Sequence, residues 1–443
     1  MLRLPDKLAG LLPRHILGPG LISLVIKLLG AVLAYGMVVA FARFLSAEEY
    51  GRFAFGLNLA IIAAAIGGFG FSTGIMRYWP KYTVAKDGAG ARGVVKLGYL
   101  ACGLGGIAMI ISAVAVTVFS HRFSTTEFLA IGLLGLVINF GDYSTNLLRA
   151  QGSTIVSMLP RDVLWRILSV IVAGLVVWFG FVVSGPAAII ICAGVLAVLT
   201  LWQILNIKTH MANDLMGAGS RNDWRDLRPS LLSLWASSIV FAMIQQFDVV
   251  IVGSLLGNAN AGAYFAAQKT AMLLSLVLIA AGLVAAPTMA ALYHSGKRIE
   301  LQTLCRNLAA VIAAVTIIGF IMLIFVGRQL LAFFDPHFVS AYPILLIIAV
   351  GTMVDAVAGP NAYLMQMTSY ERPYLRIMAV CYGLVLIAQF ILVPLYGSIG
   401  AAIASTGGVV LWNVWAIVLL RREAGLDPSL LSLFLPPQMN TKQ

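Results

Sequence analysis

Residues 77–96 read Arg77-Tyr78-Trp79-Pro80-Lys81-Tyr82-Thr83-Val84-Ala85-Lys86-Asp87-Gly88-Ala89-Gly90-Ala91-Arg92-Gly93-Val94-Val95-Lys96, with five basic side chains between two long apolar stretches. The connection before it has only Arg43 and Arg52 at its edges, and the one after it only Arg122. This alternation persists along the chain. The dense set holds Arg3, Lys7, Arg14; the five above; Arg149, Arg161, Arg166; Lys208, Arg221, Arg225, Arg228; Lys297, Arg298, Arg306; Arg372, Arg376; and Arg421, Arg422, Lys442. That is 23 of the 29 basic residues. The sparse set holds Arg43, Arg52, Arg122 and Arg328, while Lys27 and Lys269 fall inside apolar segments. Short basic loops resist translocation, so the dense set is expected in the cytoplasm with both termini, and the number of spans is even.

Composition agrees. The chain is 60% hydrophobic and 10% charged, with mean hydropathy +0.96, whereas soluble domains carry about 25% charged residues. The net charge of +12 lies in short loops, where it sets orientation and meets anionic lipid headgroups, and nucleic-acid binding is not expected. The first twenty residues, broken by Pro5, Pro13 and Pro19, read as an interfacial segment rather than a signal peptide. Cys102, Cys192, Cys305 and Cys381 match neither zinc nor disulfide spacing and read as small core residues.

Apolar segments fall at residues 20–44, 51–76, 94–119, 127–148, 159–181, 184–207, 230–257, 262–292, 303–328, 340–367, 374–394 and 398–420, each long enough to cross about 30 Å of hydrocarbon. The expected fold is therefore all-α and polytopic: twelve transmembrane helices in two six-helix bundles around a central cavity. The division places an N-terminal bundle at 1–207, a polar cytoplasmic linker at 208–229, and a C-terminal bundle with a short tail at 230–443. The halves look related. Phe44-Leu45-Ser46-Ala47-Glu48-Glu49-Tyr50-Gly51-Arg52-Phe53 aligns with Leu255-Leu256-Gly257-Asn258-Ala259-Asn260-Ala261-Gly262-Ala263-Tyr264: a span ends, a polar turn follows, and a Gly and an aromatic open the next span. Six spans per half would make the repeat parallel, about an axis along the membrane normal. Glycines such as Gly67, Gly68, Gly103, Gly105 and Gly106 suit close helix packing, or bending during transport.

No phosphate loop, metal-binding helix or dinucleotide fingerprint is present in the sequence. His15, His121, His210, His294 and His337 are widely separated, so no catalytic residue, metal site or cofactor is expected, and the chain reads as a transporter rather than an enzyme. The informative residues are ionisable groups within spans: Lys27, Asp142, Asp248, Lys269 and Asp355. Each costs roughly 2.5–3.5 kcal/mol at a helix centre, so each is expected to face protein or water. By depth, Lys27 matches Asp142 and Asp248 matches Lys269, as structural ion pairs or as parts of a transport site. Asp355 has no basic residue at its level and is the best candidate for a protonation or cation site. Asn139, Gln245, Gln246, Gln268, Asn361, Gln366, Gln389 and Asn413 add polar groups consistent with a hydrated cavity or with interhelical bonding.

The hairpin 44–53 resembles that of bacterial polysaccharide exporters, the Wzx-type flippases of the multidrug/oligosaccharidyl-lipid/polysaccharide exporter superfamily. Gln246-Phe247-Asp248, Ile251-Val252-Gly253 and Gly262-Ala263-Tyr264-Phe265-Ala266-Ala267-Gln268-Lys269 look like the same family's seventh-to-eighth hairpin. The resemblance implies a multi-pass protein of the bacterial cytoplasmic membrane that moves an undecaprenyl-pyrophosphate-linked oligosaccharide across it by alternating access. It also implies cationic cavity residues for the pyrophosphate, for which Lys27, Arg77 and Lys269 are the positions available, and coupling or ion-pair roles for Asp142, Asp248 and Asp355. Membrane lipids, a glycan polymerase and chain-length machinery are the implied partners. A cation-coupled drug or metabolite antiporter of the same superfamily is the nearest alternative, and a membrane glycan polymerase a more distant one.

Overall fold

A computed structural model of the chain describes residues 14–119, 124–211 and 224–433. Arg3, Lys7, Arg122, Arg221, Lys442 and His121, most of the amino-terminal segment and the centre of the expected linker lie outside the described residues. All the described secondary structure is helical. The first half comprises α1 (Arg14–Phe44), α2 (Ala47–Gly67), α3 (Phe71–Val84), α4 (Gly88–Phe119), α5 (Thr125–Ala150), α6 (Thr154–Leu159), a π-helical turn (Pro160–Leu164), α7 (Trp165–Trp178) and α8 (Gly185–Met211). The second comprises α9 (Trp224–Leu256), α10 (Asn258–Ala271), α11 (Leu276–His294), α12 (Arg298–Phe334), α13 (Tyr342–Ala358), α14 (Asn361–Met367), α15 (Glu371–Tyr396) and α16 (Ser398–Leu419).

Among the described residues, 11 helices are long and apolar enough to cross a membrane, and the chain is a multi-pass membrane protein. The expected segment that does not qualify as one unbroken helix is 159–181. Pro160 has no N–H to give the preceding turn, and the run from Thr154 to Trp178 passes through the π-helical turn, leaving α7 with 14 residues. The expected span 51–76 also breaks, at Phe69 (φ 46°) and Gly70 (φ 76°), and the expected span 340–367 breaks at Gly359-Pro360. Side chains such as Ile318 and Phe325 stand exposed on α12, as lipid-facing side chains do, because hydrocarbon satisfies them and water would not.

Two compact units emerge: one of residues 1–37 and 60–239, the other of residues 38–59 and 240–443. This division differs from the sequence-based one at the first hairpin, whose residues 38–59 group with the second unit. The first unit's core gathers Phe71, Ile75, Tyr143, Leu147 and Leu231. The second unit's core gathers Met289, Leu301, Cys305, Leu364, Ile377 and Trp412. All four cysteines are buried, in line with the core reading.

The grouping of the first hairpin has a local cause. Within the second unit, Tyr50 is fully buried among the rings of Phe53, Phe265, Phe334 and Phe338 at centroid distances of 5.4–6.5 Å. Asn258 Nδ2 donates to Glu48 Oε1 at 3.2 Å. A Cβ on Gly262 would stand 3.1 Å from Gly51 N and 3.2 Å from Gly51 Cα, and one on Gly51 would strike the Asn258 carbonyl. The glycines aligned in the two similar hairpins thus meet one another. Without side chains there, the backbones approach closely enough to bury the aromatic cluster beside them.

At the end of α16 a π-helical turn (Leu420–Ala424) leads through Gly425 (φ 65°) into a buried clasp. Asp427 is fully buried; its carboxylate accepts from Arg421 Nε at 2.7 Å and from Ser429 N and Oγ at 2.9 and 2.6 Å. Gln302 on α12 brackets the Asp427 backbone, donating to its carbonyl at 2.6 Å and accepting from its N–H at 2.8 Å. The Pro428 carbonyl lies where a Cβ on Gly359 would be. Gly359 (φ 79°) is thus fixed as glycine both by its left-handed backbone and by this contact.

Candidate functional site

A cavity of about 320 Å³ opens within the second unit, lined by α9, α10, α11, α13, α15, α16 and the 3₁₀ turn Met272–Ser275 that joins α10 to α11. Irregular backbone at membrane depth is tolerated where it lines a cavity or is buried in protein, and Met272 and Ser275 from that turn face this cavity. Its wall carries two carboxyl groups, Asp248 and Asp355, with Gln245, Gln268, Ser405 and Thr406. Aromatic rings of Phe241, Tyr374, Tyr382 and Trp412 complete it, Tyr374 and Trp412 packing edge to face at 6.3 Å. The lining has no Lys, Arg or His.

The two carboxyls are held differently. Asp248 accepts from Gln389 Nε2 at 2.6 Å, Ser405 Oγ at 2.8 Å and Tyr264 OH at 3.0 Å, so three neutral donors from α10, α15 and α16 converge on it. Asp355 accepts from Asn413 Nδ2 at 2.8 Å, and Asn413 Oδ1 in turn accepts from Asn361 Nδ2 at 3.0 Å. The Gly359-Pro360 break brings Asn361 to that point. A continuous helix would carry it past.

The depth-matched ion pairs are corrected. Lys27 pairs with Asp162 at 3.3 Å, not with Asp142; Asp142 pairs with Arg161. Arg166 donates to the Gly30 carbonyl, tying α7 to α1. The π-helical turn carries Arg161 and Asp162 one residue apart, so both acids meet cations across α1, α5 and this turn. Asp162 lies at the start of the expected span 159–181 and was missed because Arg161 and Arg166 beside it count with the basic loop charges. Nor is Asp248 held by Lys269: the Lys269 ammonium lies over the Phe265 ring at 5.0 Å and 3.9 Å from Met272 Sδ.

Of the pyrophosphate candidates, Lys27 and Arg77 belong to the first unit and Lys269 to the second. Arg77 is exposed on α3 and donates to Ser230 Oγ at 2.9 Å. None of the three lines the cavity. Sequence reading found Asp248, Asp355, Gln245 and Gln268. It missed Tyr264, Ser405 and the aromatic wall, because such residues abound in apolar helices and only the fold selects which of them face inward.

Ala at Asp248 would leave Tyr264 and Ser405 without their acceptor and Gln389 with Ser405 Oγ alone, at about 1–3 kcal/mol for each buried group left unsatisfied. Asp248→Ala is therefore expected to lower the thermal midpoint of the detergent-solubilised protein, and Lys269→Ala added to it is expected to restore nothing. Recovery in the double variant would reinstate an Asp248–Lys269 pair.

The family described as Polysaccharide biosynthesis protein matches residues 19–293. Among solved structures, the chain is similar to an inward-facing multidrug resistance MATE family transporter of the MOP superfamily, with TM-score 0.72, 17% identity and coverage of 91% of this chain and 97% of that one. An outward-facing MATE family transporter gives TM-score 0.63, 16% identity and coverage of 90% and 93%. A MOP superfamily transporter from Pyrococcus furiosus, described as having a binding pocket of reverse polarity, gives TM-score 0.62, 15% identity and coverage of 91% and 95%. No curated protein matches. With a MATE-like transporter fold and a family match over more than half of its length, the chain belongs to the polysaccharide biosynthesis protein family.

Proposed function

We propose that this protein is a flippase that moves an undecaprenyl-pyrophosphate-linked oligosaccharide across the bacterial cytoplasmic membrane by alternating access, for surface or exopolysaccharide assembly. In this reading it has twelve spans, the run Thr154–Trp178 being the one beyond the 11 long helices, and both termini are cytoplasmic. The observation that carries it is the family match over residues 19–293 on a chain with a transporter fold. The physical need is plain: each sugar hydroxyl moved unpaired into hydrocarbon costs roughly 2–7 kcal/mol, so a glycan requires a polar path.

In the proposal Lys27, Arg77 and Lys269 meet the pyrophosphate, since ammonium and guanidinium groups donate charge-assisted bonds to phosphate oxygens. Asp142, Asp248 and Asp355 serve coupling or structural roles. The protein performs no covalent chemistry and hands its substrate to a glycan polymerase and chain-length machinery. A second reading, a cation-coupled drug or metabolite antiporter, is favoured by one observation: the cavity holds two carboxyls and no basic side chain.

The test is leaflet orientation of a lipid-linked oligosaccharide in proteoliposomes, with and without an imposed ion gradient. Protein-dependent movement, reduced at least tenfold by Lys27→Ala, Arg77→Ala or Lys269→Ala, is expected. No movement of several glycans, together with gradient-driven efflux of a small organic cation, would establish the antiporter instead.

A further inference from the structure

Within the cavity of the second unit, Gln268 is nine-tenths buried, and its Oε1 has no hydrogen-bond partner among the described residues. A buried amide oxygen left so is costly unless something outside the chain donates to it. Facing the same space, Asp355 takes one amide proton at Oδ1 from Asn413, the last link of a one-way chain that begins at Asn361. Asp355 lines the cavity, and no donor to its other oxygen is found among the described residues. Asp248 differs, since its oxygens already serve Gln389, Ser405 and Tyr264. Gln268 Oε1 and the Asp355 carboxyl are therefore acceptors short of donors, and they call for a ligand rich in donors.

Charge narrows the class. With two carboxyls and no basic residue in the lining, a carboxylated or phosphorylated group would meet no counter-charge there, which disfavours it against a neutral group. No group of three or more His, Cys, Asp or Glu, the set a transition metal would need, is found among the described residues. Beside the polar Gln245, Ser275, Thr352, Ser405 and Thr406, the lining presents the Trp412, Tyr382 and Tyr374 rings with Val409 and Met378, surfaces suited to the C–H faces of a sugar ring. A volume of about 320 Å³ stands at the low end of small-molecule sites, about 300–1,000 Å³, and so holds a part of a glycan, not the whole.

We propose that this cavity is a glycan subsite selective for uncharged, hydroxyl-rich sugar units, with Gln268 and Asp355 as specificity-determining acceptors and Trp412 and Tyr382 as the ring platform. The proposal rests on the flippase reading and deepens it: the cavity reads the sugars, and none of Lys27, Arg77 and Lys269 lines it. A site built to hydrogen-bond a hydroxyl discriminates strongly against ligands lacking it, because its buried acceptor is left unpaired.

Two measurements separate the subsite from the flippase. The first is binding of free oligosaccharides to the purified protein in nanodiscs, read by intrinsic tryptophan fluorescence, with a neutral hexose/N-acetylhexosamine oligosaccharide, a uronate-containing analogue and tetraphenylphosphonium as probes. The second is proteoliposome flipping of lipid-linked versions of the two glycans. The neutral glycan is expected to bind at least tenfold more tightly than the uronate analogue. Gln268→Leu, and independently Gln268→Met, should weaken neutral-glycan binding about tenfold while leaving the thermal midpoint within a degree or two. Asp355→Asn should narrow the neutral-to-uronate ratio. Equal binding of the uronate, no effect of either Gln268 variant, or tighter binding of tetraphenylphosphonium than of the neutral glycan would each overturn the proposal. Binding as expected with no flipping of any glycan would sink the flippase reading and leave a saccharide-binding cavity standing.

Discussion

Asp427→Ala is expected to destabilise the second unit by about 2–3 kcal/mol, and to do so through the loss of an acceptor more than of a contact. The Asp427 carboxylate is fully buried and serves Arg421 together with the Ser429 amide and hydroxyl. Removing it strands the guanidinium, and breaking a buried pair from one side costs about 3–5 kcal/mol. Arg421 keeps about a third of its side chain exposed, so water recovers part of that amount. The Gln302 bracket on the Asp427 backbone survives the substitution in principle, but it then holds a segment whose carboxylate anchor is gone. Thermal unfolding in detergent checks the magnitude. Arg421→Ala combined with Asp427→Ala should be less destabilising than the sum of the two single changes, as expected when each single change leaves a group unpaired. Additive effects would mean that the pair contributes nothing. Because the Pro428 carbonyl rests on Gly359, one turn beyond Asp355, the same variant is also expected to weaken ligand binding in the cavity.

Membrane character and the polysaccharide-exporter resemblance were legible from residues such as the basic stretch Arg77–Lys96 and the Glu48–Arg52 hairpin, because charge asymmetry and apolar length act locally along the chain. The helix breaks at Phe69-Gly70 and Gly359-Pro360 were not read, although Pro360 follows a glycine that marks such a break. The apolar run on both sides was long enough to mask it. The ion pairs were misread for a different reason. Depth along a span fixes only one coordinate of a side chain, and Lys27 met Asp162 instead of Asp142 because the π-helical turn at Pro160–Leu164 shifts the register of that run. The cavity was half legible: Asp248, Asp355, Gln245 and Gln268 announced themselves as polar groups in apolar helices, whereas Tyr382 and Trp412 did not, since an aromatic ring satisfies lipid and cavity alike.

Gly105→Val is expected to abolish folded protein, an effect larger than that of removing any one hydrogen bond, while Gly103→Ala two positions away should be neutral or stabilising. A Cβ on Gly105 would meet the backbone of α2 at Gly67, 2.6 Å from its carbonyl carbon and 2.7 Å from its Cα. Backbone does not move aside as a side chain does. The helices must separate, and every contact along their interface weakens with distance. At Gly103 the nearest atom is Phe140 Cζ at 3.9 Å, ordinary contact, so alanine there gains up to about 1 kcal/mol of helix propensity at no steric cost. Gly106 stands between these limits, since the atoms nearest its Cβ would be those of the Leu136 side chain and not backbone, with Cδ1 at 2.7 Å, Cγ at 2.8 Å and Cβ at 3.2 Å, a clash that a rotamer change relieves only in part. Folded yield by size-exclusion chromatography should follow the order Gly103→Ala, Gly106→Ala, Gly105→Val. This series also separates the two roles open to these glycines. Loss of transport in Gly103→Ala at undiminished thermal stability would assign pliability to a position where packing demands nothing, whereas full transport would leave close packing, concentrated at Gly105 and Gly67, as the reason the α4 run is rich in glycine.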